Sequence, residues 1–329
     1  MSLAEKSVVV TGGAGFIGGH LVESLVARGA DVKVIDDLST GSHANLASCA
    51  EAIEFVEGDC CDPEIAAHTA SADLVLHLAV RNVRASIRDP KENFRVNADG
   101  TLELLEAMRH GKQGRFVYVS SSEIYGTADT TGTFSEDMVP APTTVYGAGK
   151  LAGELLTLAY YRTYEMDTYV IRPFNNYGPR SHFEGDSGEV IPKFILRALA
   201  GEPLIVHGDG FQTRDFMYVE DTADWLCDLA MNDSLSGGVF NIGYGQEVTV
   251  NELARVVLER TGANSPIRHA EDRPGDLPRL LADVTRIREH SSYEPRVGFE
   301  EGMGRTIDYF MTLGDAATLL EEEQAESWK

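Results

Sequence analysis

Tyr146 and Lys150 stand four residues apart in VYGAGK. At that spacing two side chains share one face of a helix. A lysine ammonium beside a phenol stabilises the phenolate and lowers the tyrosine pKa from its ordinary value near ~10. Such a tyrosine can act as a base at neutral pH. Ser120, Ser121 and Ser122 follow FVYV, an apolar run that reads as a strand. A hydroxyl at the C-terminal end of that strand can hydrogen-bond the substrate oxygen that Tyr146 deprotonates, because open α/β sheets bind ligands at that end. Glu123 comes next and adds a carboxyl. The chemistry on offer is removal of a proton from a substrate hydroxyl.

A second cluster lies near the amino end. Residues 11–18 read TGGAGFIG, with Gly12, Gly15 and Gly18 between a strand-like run and an amphipathic stretch that Phe16 and Ile17 open. Glycines there permit a tight turn, and the helix that follows presents free N–H groups to a pyrophosphate. The spacing is GxxGxxG rather than GxGxxG. Asp36 ends the next apolar run, 18 residues past Gly18, near the roughly 20 expected of an acid that binds ribose hydroxyls. A carboxylate there repels a 2′-phosphate, so the cofactor expected is NAD rather than NADP. Asp37 competes for the role, but Asp36 follows the strand directly. Asp59 and Cys60, after a third strand-like run, are placed either to contact adenine or to make a turn. A positive nicotinamide ring would act on Tyr146 in the same direction as Lys150.

These clusters need elements to hold them. Short β-branched runs alternate with helical stretches: residues 7–11, 32–35, 53–56, 74–78 and 116–119 as strands, 16–28 and 96–109 as helices. The rhythm predicts an α/β fold, a doubly wound parallel sheet covered on both faces. After Arg172 prolines and glycines cluster, so loops are expected to dominate, with residues 238–243 returning as one more strand. The expected division is residues 1–172 plus about 218–245 for the dinucleotide, and about 173–217 and 246–329 as a smaller, discontinuous substrate domain. The 329 residues carry a net charge of −24, which argues against broad binding to nucleic acid or anionic lipid. No apolar run reaches the ~20 residues that span a bilayer, and the amino end has no signal-peptide layout. Cys49, Cys60, Cys61 and Cys227 lack CxxC or metal-ligand spacing, so reduced thiols, a cytoplasmic location and no metal are expected. His68, His77, His182, His207 and His269 also lack metal spacing and read as structural or loop residues.

TGGAGFIG, Asp36, LHLA at 76–79, Asn97 in VNADGT, SSSEIYG, YGAGK and RPFNNYGPR occur together and in this order. The chain thereby resembles the extended short-chain dehydrogenase/reductase family, and within it the nucleotide-sugar epimerase/dehydratase group. The resemblance covers about residues 6–310. It implies a Rossmann-type sheet and bound NAD. It implies a catalytic set of Ser121, Tyr146 and Lys150, and an NAD site completed by Leu78, Ala79, Asn97 and Pro173. Ser122, Asn175, Val190, Arg214 and Arg273 with Asp276 would hold the nucleotide sugar, with UDP the expected nucleotide. An arginine pair is also the clamp expected for a pyrophosphate in an acidic protein; the lesser alternative for Arg214 and Arg273 is a structural ion-pair role. By resemblance, helices at 96–109 and 151–164 would pair with their copies in a four-helix homodimer interface.

The group's members share oxidation of the sugar at C4 to a ketone. The first reading is 4-epimerisation of a UDP-hexose or UDP-hexuronate, suggested by Ser121, LSTG at 38–41 and the compact length. The alternatives are 4,6-dehydration and uronate decarboxylation, in which Glu123 takes part. Ser122 stands where some dehydratases carry the aspartic acid that protonates O6. A regulator that senses NAD without catalysis is a remote third class, since Tyr146 and Lys150 are both kept. Arg81, Arg84 and Arg88 depart from the group's pattern. They read as the solvated face of a helix, or else as support for a second anionic group.

Overall fold

Valine-rich runs make up the centre of the molecule. The structure is a computed structural model that describes residues 2–127, 132–184, 188–272 and 277–321. Its first half runs β1 (Ser7–Thr11), α1 (Phe16–Ala27), β2 (Asp31–Asp36), β3 (Ile53–Glu57), α2 (Pro63–Ala66), β4 (Leu74–His77), α3 (Val83–Arg88), α4 (Pro90–Phe94), α5 (Gly100–His110), β5 (Arg115–Val119), α6 (Val145–Tyr164) and β6 (Thr168–Pro173). The second half runs β7 (Asn175–Tyr177), α7 (Val190–Leu199), β8 (Leu204–His207), β9 (Thr213–Tyr218), α8 (Val219–Leu229), β10 (Val239–Ile242), β11 (Glu247–Thr249), α9 (Val250–Thr261), β12 (Ile267–Ala270), β13 (Arg279–Leu280), α10 (Thr285–His290), α11 (Phe299–Thr312) and α12 (Ala316–Leu320).

Seven strands form one parallel sheet in the order β10-β6-β5-β4-β1-β2-β3. Every residue of β4, β5 and β6 is buried, as expected of parallel strands covered by helices on both faces. This is the Rossmann-type fold. Strand order reverses between β1 and β4, and ligands bind in the crevice at the C-terminal edge of such a switch point.

Helix α6 sits very close to the sheet. A Cβ on Gly153 would lie 2.3 Å from the Tyr118 hydroxyl oxygen, so only glycine permits this approach. Thr144 caps its first turn, its Oγ1 accepting from Gly147 N at 3.0 Å. Further along, Glu154 makes a two-pronged ion pair with Arg172 of β6, at 2.9 Å from Nε and 2.7 Å from Nη2. Arg172 also donates to the Tyr125 hydroxyl at 2.9 Å, which in turn donates to Asn241 Oδ1 at 2.7 Å. The helix is thus tied to β6 and, through Tyr125, to β10.

Two expectations fail here. The helix expected at 96–109 is broken by a π-helical turn at Arg95–Asp99 before α5 begins. Loops do not dominate after Arg172, because α7 forms over Val190–Leu199. Pro192 falls in its first turn, where the missing N–H has no intrahelical partner to lose. Strand β9 collects β11, β13 and β7 into a second sheet, and α7, α9 and α11 contribute to a separate apolar core beside it. Among the described residues no helix is long and apolar enough to cross a membrane.

Candidate active site

The glycine loop is built by steric exclusion. Gly12 has φ +71°, and a Cβ there would lie 2.6 Å from Ala79 N. A Cβ on Gly18 would lie 2.1 Å from the Gly12 carbonyl oxygen. Gly15 is different: its φ of −77° suits any residue, and its Cβ would meet only Gly12 O, at 3.2 Å. Packing does not demand glycine at 15. Its bare backbone, at the start of α1 and on a cavity wall, fits close approach of a phosphate. Gly18→Ala is therefore expected to distort the loop and abolish retention of dinucleotide, measured as the 260 nm absorbance that stays with the purified protein. Full retention would show that this loop is not the phosphate cradle.

A cavity of about 560 Å³ opens along the C-terminal edge of the sheet. Gly12, Gly15, Phe16, Ile17, Gly18, Asp36, Asp59, Cys60, Leu78, Ala79 and Pro173 line one part of it. Ser121, Ser122, Glu123, Tyr146, Lys150, Asn175, Val190 and Arg214 line the rest. The expected residues thus meet on one surface, with stated exceptions. Asn97 is buried behind the wall, where its amide holds Arg81: Arg81 N donates to Oδ1 at 3.0 Å, and Nδ2 donates to Arg81 O at 3.1 Å. The π-helical turn carries Asn97 into that position. Arg273 and Asp276 lie outside the described residues. Arg214 directs Nη1 to the carbonyls of Thr213 and Leu277, at 2.7 and 2.8 Å.

Asp36 accepts from Ala14 N and Leu38 N, both at 2.9 Å. Burial pushes its carboxyl above the usual range, against those two donors. Asp59 accepts from Cys61 N at 2.9 Å and from Arg95 at 2.5 Å. Contrary to the reading from spacing, ligand atoms of Asp59, Cys60 and Cys61 come within 4.8 Å of one another. The Asp59 oxygens are already engaged, and Cys60 is held protonated by its contact with Cys61 and by burial. That donor set suits a packed loop better than a cation.

Tyr146 hydrogen-bonds Ser121, and the Glu123 carboxyl acts on the phenol. Lys150 donates to Val119 O at 2.7 Å and lies 4.7 Å from the Tyr118 ring centre. The expected lowering of the tyrosine by its lysine is not seen. Burial pushes Tyr146 up to about 12, against the Ser121 hydrogen bond, and Glu123 raises it further. Lys150 is brought down to about 7 by its own burial, against the Glu154 carboxylate. Two groups removed from water each favour their neutral form. Ser120 also faces the cavity, and its buried hydroxyl has no protein partner among the described residues. Behind the site, His77 bridges Thr11 and Thr101 at 2.7 and 3.0 Å, and burial lowers it to about 3.

Several wall residues carry no local signal in the sequence. Glu189, the residue before α7, lines the cavity, and burial raises its carboxyl to about 7 against the charge of Arg84. Arg84, His182, His207 and Gln212 line it too, so neither His182 nor His207 is merely a loop residue. Arg81 is not on a helix face. It precedes α3 and pairs with Asp37 at 2.7 Å. Arg88, in the last turn of α3, is exposed.

This geometry defines a class: a parallel-sheet dinucleotide fold whose cavity is lined by a serine–tyrosine–lysine group with the lysine buried. The NAD dependent epimerase/dehydratase family matches residues 8–243, and the chain belongs to that family. It is 36% identical to dTDP-glucose 4,6-dehydratase of Streptomyces niveus, over 92% of each chain. It is 37% identical to UDP-glucose 4-epimerase of Mycolicibacterium smegmatis, over 92% of this chain and 97% of that one. The UDP-glucose 4-epimerase of Thermus thermophilus, solved in complex with NAD, superposes with a TM-score of 0.85 at 34% identity, covering 93% of this chain and 99% of that one. The protein is an NAD-dependent enzyme of the nucleotide-sugar epimerase/dehydratase group.

Proposed function

We propose that the enzyme removes water across C5 and C6 of a nucleoside-diphospho-hexose, giving a 4-keto-6-deoxy sugar. One observation carries this: Glu123 lies on the cavity wall beside Tyr146 and acts on its phenol. Simple 4-epimerisation needs no carboxyl there, whereas dehydration needs a base at C5. The reading keeps NAD on Gly12, Gly15, Gly18, Asp36, Asp59, Leu78, Ala79 and Pro173. When bound, NAD supplies the acceptor for hydride from C4 and the store from which C6 is later reduced. Tyr146, which burial keeps protonated, would ionise only with the positive nicotinamide ring beside it, and then takes the 4-hydroxyl proton while Ser121 holds that oxygen. Lys150, fixed on Val119 O, supports the phenolate. The new 4-ketone acidifies C5–H, and Glu123 removes that proton. The same carboxyl passes the proton to O6 on the adjacent carbon. C5–H and C6–O break, C5=C6 forms, and water leaves; when C6 is reduced, C5 takes up a proton and Tyr146 releases the one it took from O4, so hydrogens and charge balance. This route needs no acid at position 122.

Arg214 and Asn175, with Val190 against the base, are assigned to the nucleotide, in a unit made of the segments about 173–217 and 246–329. The Glu123 carboxyl on the cavity wall would repel a 6-carboxylate, which argues against decarboxylation. A homodimer through α5 and α6 is supported by Leu155, Tyr161 and Tyr164, which leave 59, 39 and 46% of their surface exposed on α6.

Ser122 favours the second reading, 4-epimerisation, since it stands where a dehydratase acid is expected. Proton NMR on UDP-glucose, UDP-N-acetylglucosamine and dTDP-glucose decides between them. A C6 methyl signal supports dehydration, and Glu123→Gln should then lower its rate by roughly a hundredfold or more. A gluco/galacto mixture with C6 intact would establish epimerisation instead.

A further inference from the structure

We propose that five alternating charges, Asp37, Arg81, Glu92, Arg95 and Asp59, form a strap that closes over the adenosine half of bound NAD and slows its release. The inference rests on the placement of NAD in the cavity given above. Its links are continuous. Arg81 Nη2 lies 2.7 Å from Asp37 Oδ2 and 3.8 Å from Glu92 Oε1. Arg95 Nη2 lies 2.7 Å from the same Glu92 oxygen and 2.5 Å from Asp59 Oδ2.

The sheet order says where the strap runs. Strand β1 lies between β4 and β2, and β3 lies beyond β2. Asp37 follows β2, Arg81 follows β4, and Asp59 follows β3. The Arg81–Asp37 pair therefore crosses above the C-terminal end of β1, where the glycine loop begins. Glu92 and Arg95, on and just after α4, carry the line back to the end of β3. Asp37, Arg81 and Asp59 line the cavity beside Asp36, the acid placed for the adenosine ribose. A dinucleotide seated on the loop lies under this line and leaves only when a link opens.

The anchor is rigid. Besides the two Asn97 bonds, Arg81 O accepts from Asn93 Nδ2 at 2.9 Å. Arg81 also hydrogen-bonds Ser39 Oγ. The Asn93 and Asn97 bonds fix the backbone from which the guanidinium reaches, although pairing still costs side-chain freedom. These pairs keep side-chain exposures between 20 and 39%, so single links are weak and screened, and they matter as a network rather than singly.

The test is the exchange of bound NAD for isotopically labelled NAD, followed on the full chain with thermal unfolding as a parallel measurement. Arg81→Ala should speed exchange about tenfold, equivalent to about 1.4 kcal/mol. Arg95→Ala, at a residue that does not itself line the cavity, and Glu92→Gln should each speed it severalfold without a matching loss of Tm. Raising KCl from about 0.1 M to about 1 M, which shortens the Debye length from about 10 Å to about 3 Å, should speed exchange in the wild type more than in Arg81→Ala. Wild-type exchange rates in Arg81→Ala and Arg95→Ala would overturn the strap while leaving the NAD site intact. A wild type that binds no NAD would overturn the placement of the cofactor and the strap with it.

Discussion

Tyr146→Phe should lower turnover by roughly a thousandfold or more, within the range of about 10²–10⁴ that positioned proton transfer supplies, while bound NAD is retained. The substitution removes one oxygen and leaves the ring in place. That oxygen hydrogen-bonds Ser121 and feels the charge of the Glu123 carboxyl. The groups placed to hold NAD, the glycine loop and Asp36, lie elsewhere on the wall and are untouched. The measurement pairs kcat with the NAD content of the purified variant. A variant within tenfold of wild type, with NAD still bound, would mean that some other group accepts the 4-hydroxyl proton. Loss of both NAD and turnover would mean that Tyr146 serves mainly to hold the cofactor.

Glu154→Gln should destabilise the fold by about 3–5 kcal/mol, the usual cost of leaving one member of a buried ion pair without its partner. The side chains of Arg172 and Glu154 are only 5% and 2% exposed. Glutamine keeps the shape and one accepting oxygen but removes the charge and turns the other oxygen into an NH2 that faces the guanidinium, so a buried cation is left without its counter-charge. Urea unfolding followed by tryptophan fluorescence gives the free energy. The double replacement Glu154→Leu with Arg172→Leu should be markedly less damaging than Glu154→Leu alone. If the double replacement is the worse, the pair is not the origin of the loss. Glu154 also opposes the fall of the Lys150 pKa. Removing its charge should leave Lys150 neutral at a still lower pH, so the pair that ties α6 to β6 also bears on the catalytic lysine.

The parts legible in the sequence are those written in local spacing. Gly12 to Gly18 are close neighbours, and Tyr146 and Lys150 fall on adjacent turns of α6, so chain position alone brings them together. The strands of the first half were legible because burial on both faces demands runs such as VVV and LVL. Contacts made by the tertiary fold were not. Arg81 meets Asp37 across 44 positions, and Glu189 comes under the charge of Arg84 only because α7 packs against the cavity. Asn97 shows the same limit from the other side: its motif was recognisable, but its side chain supports the wall from behind. The tyrosine–lysine electrostatics failed for a further reason. Spacing reports proximity, whereas the pKa values are set by burial, which spacing does not encode.

The seventh strand of the sheet has a consequence for biosynthesis. β10 pairs with β6 but follows it by more than sixty residues, after α7, β8, β9 and α8 have been made. Until residue 242 clears the ribosome, β6 presents an unpaired edge on a strand that the finished fold buries completely, the kind of surface that invites association between nascent chains. The amino-terminal half therefore does not finish first and wait. Its sheet is sealed only after much of the second half has been synthesised, so the two halves must mature together.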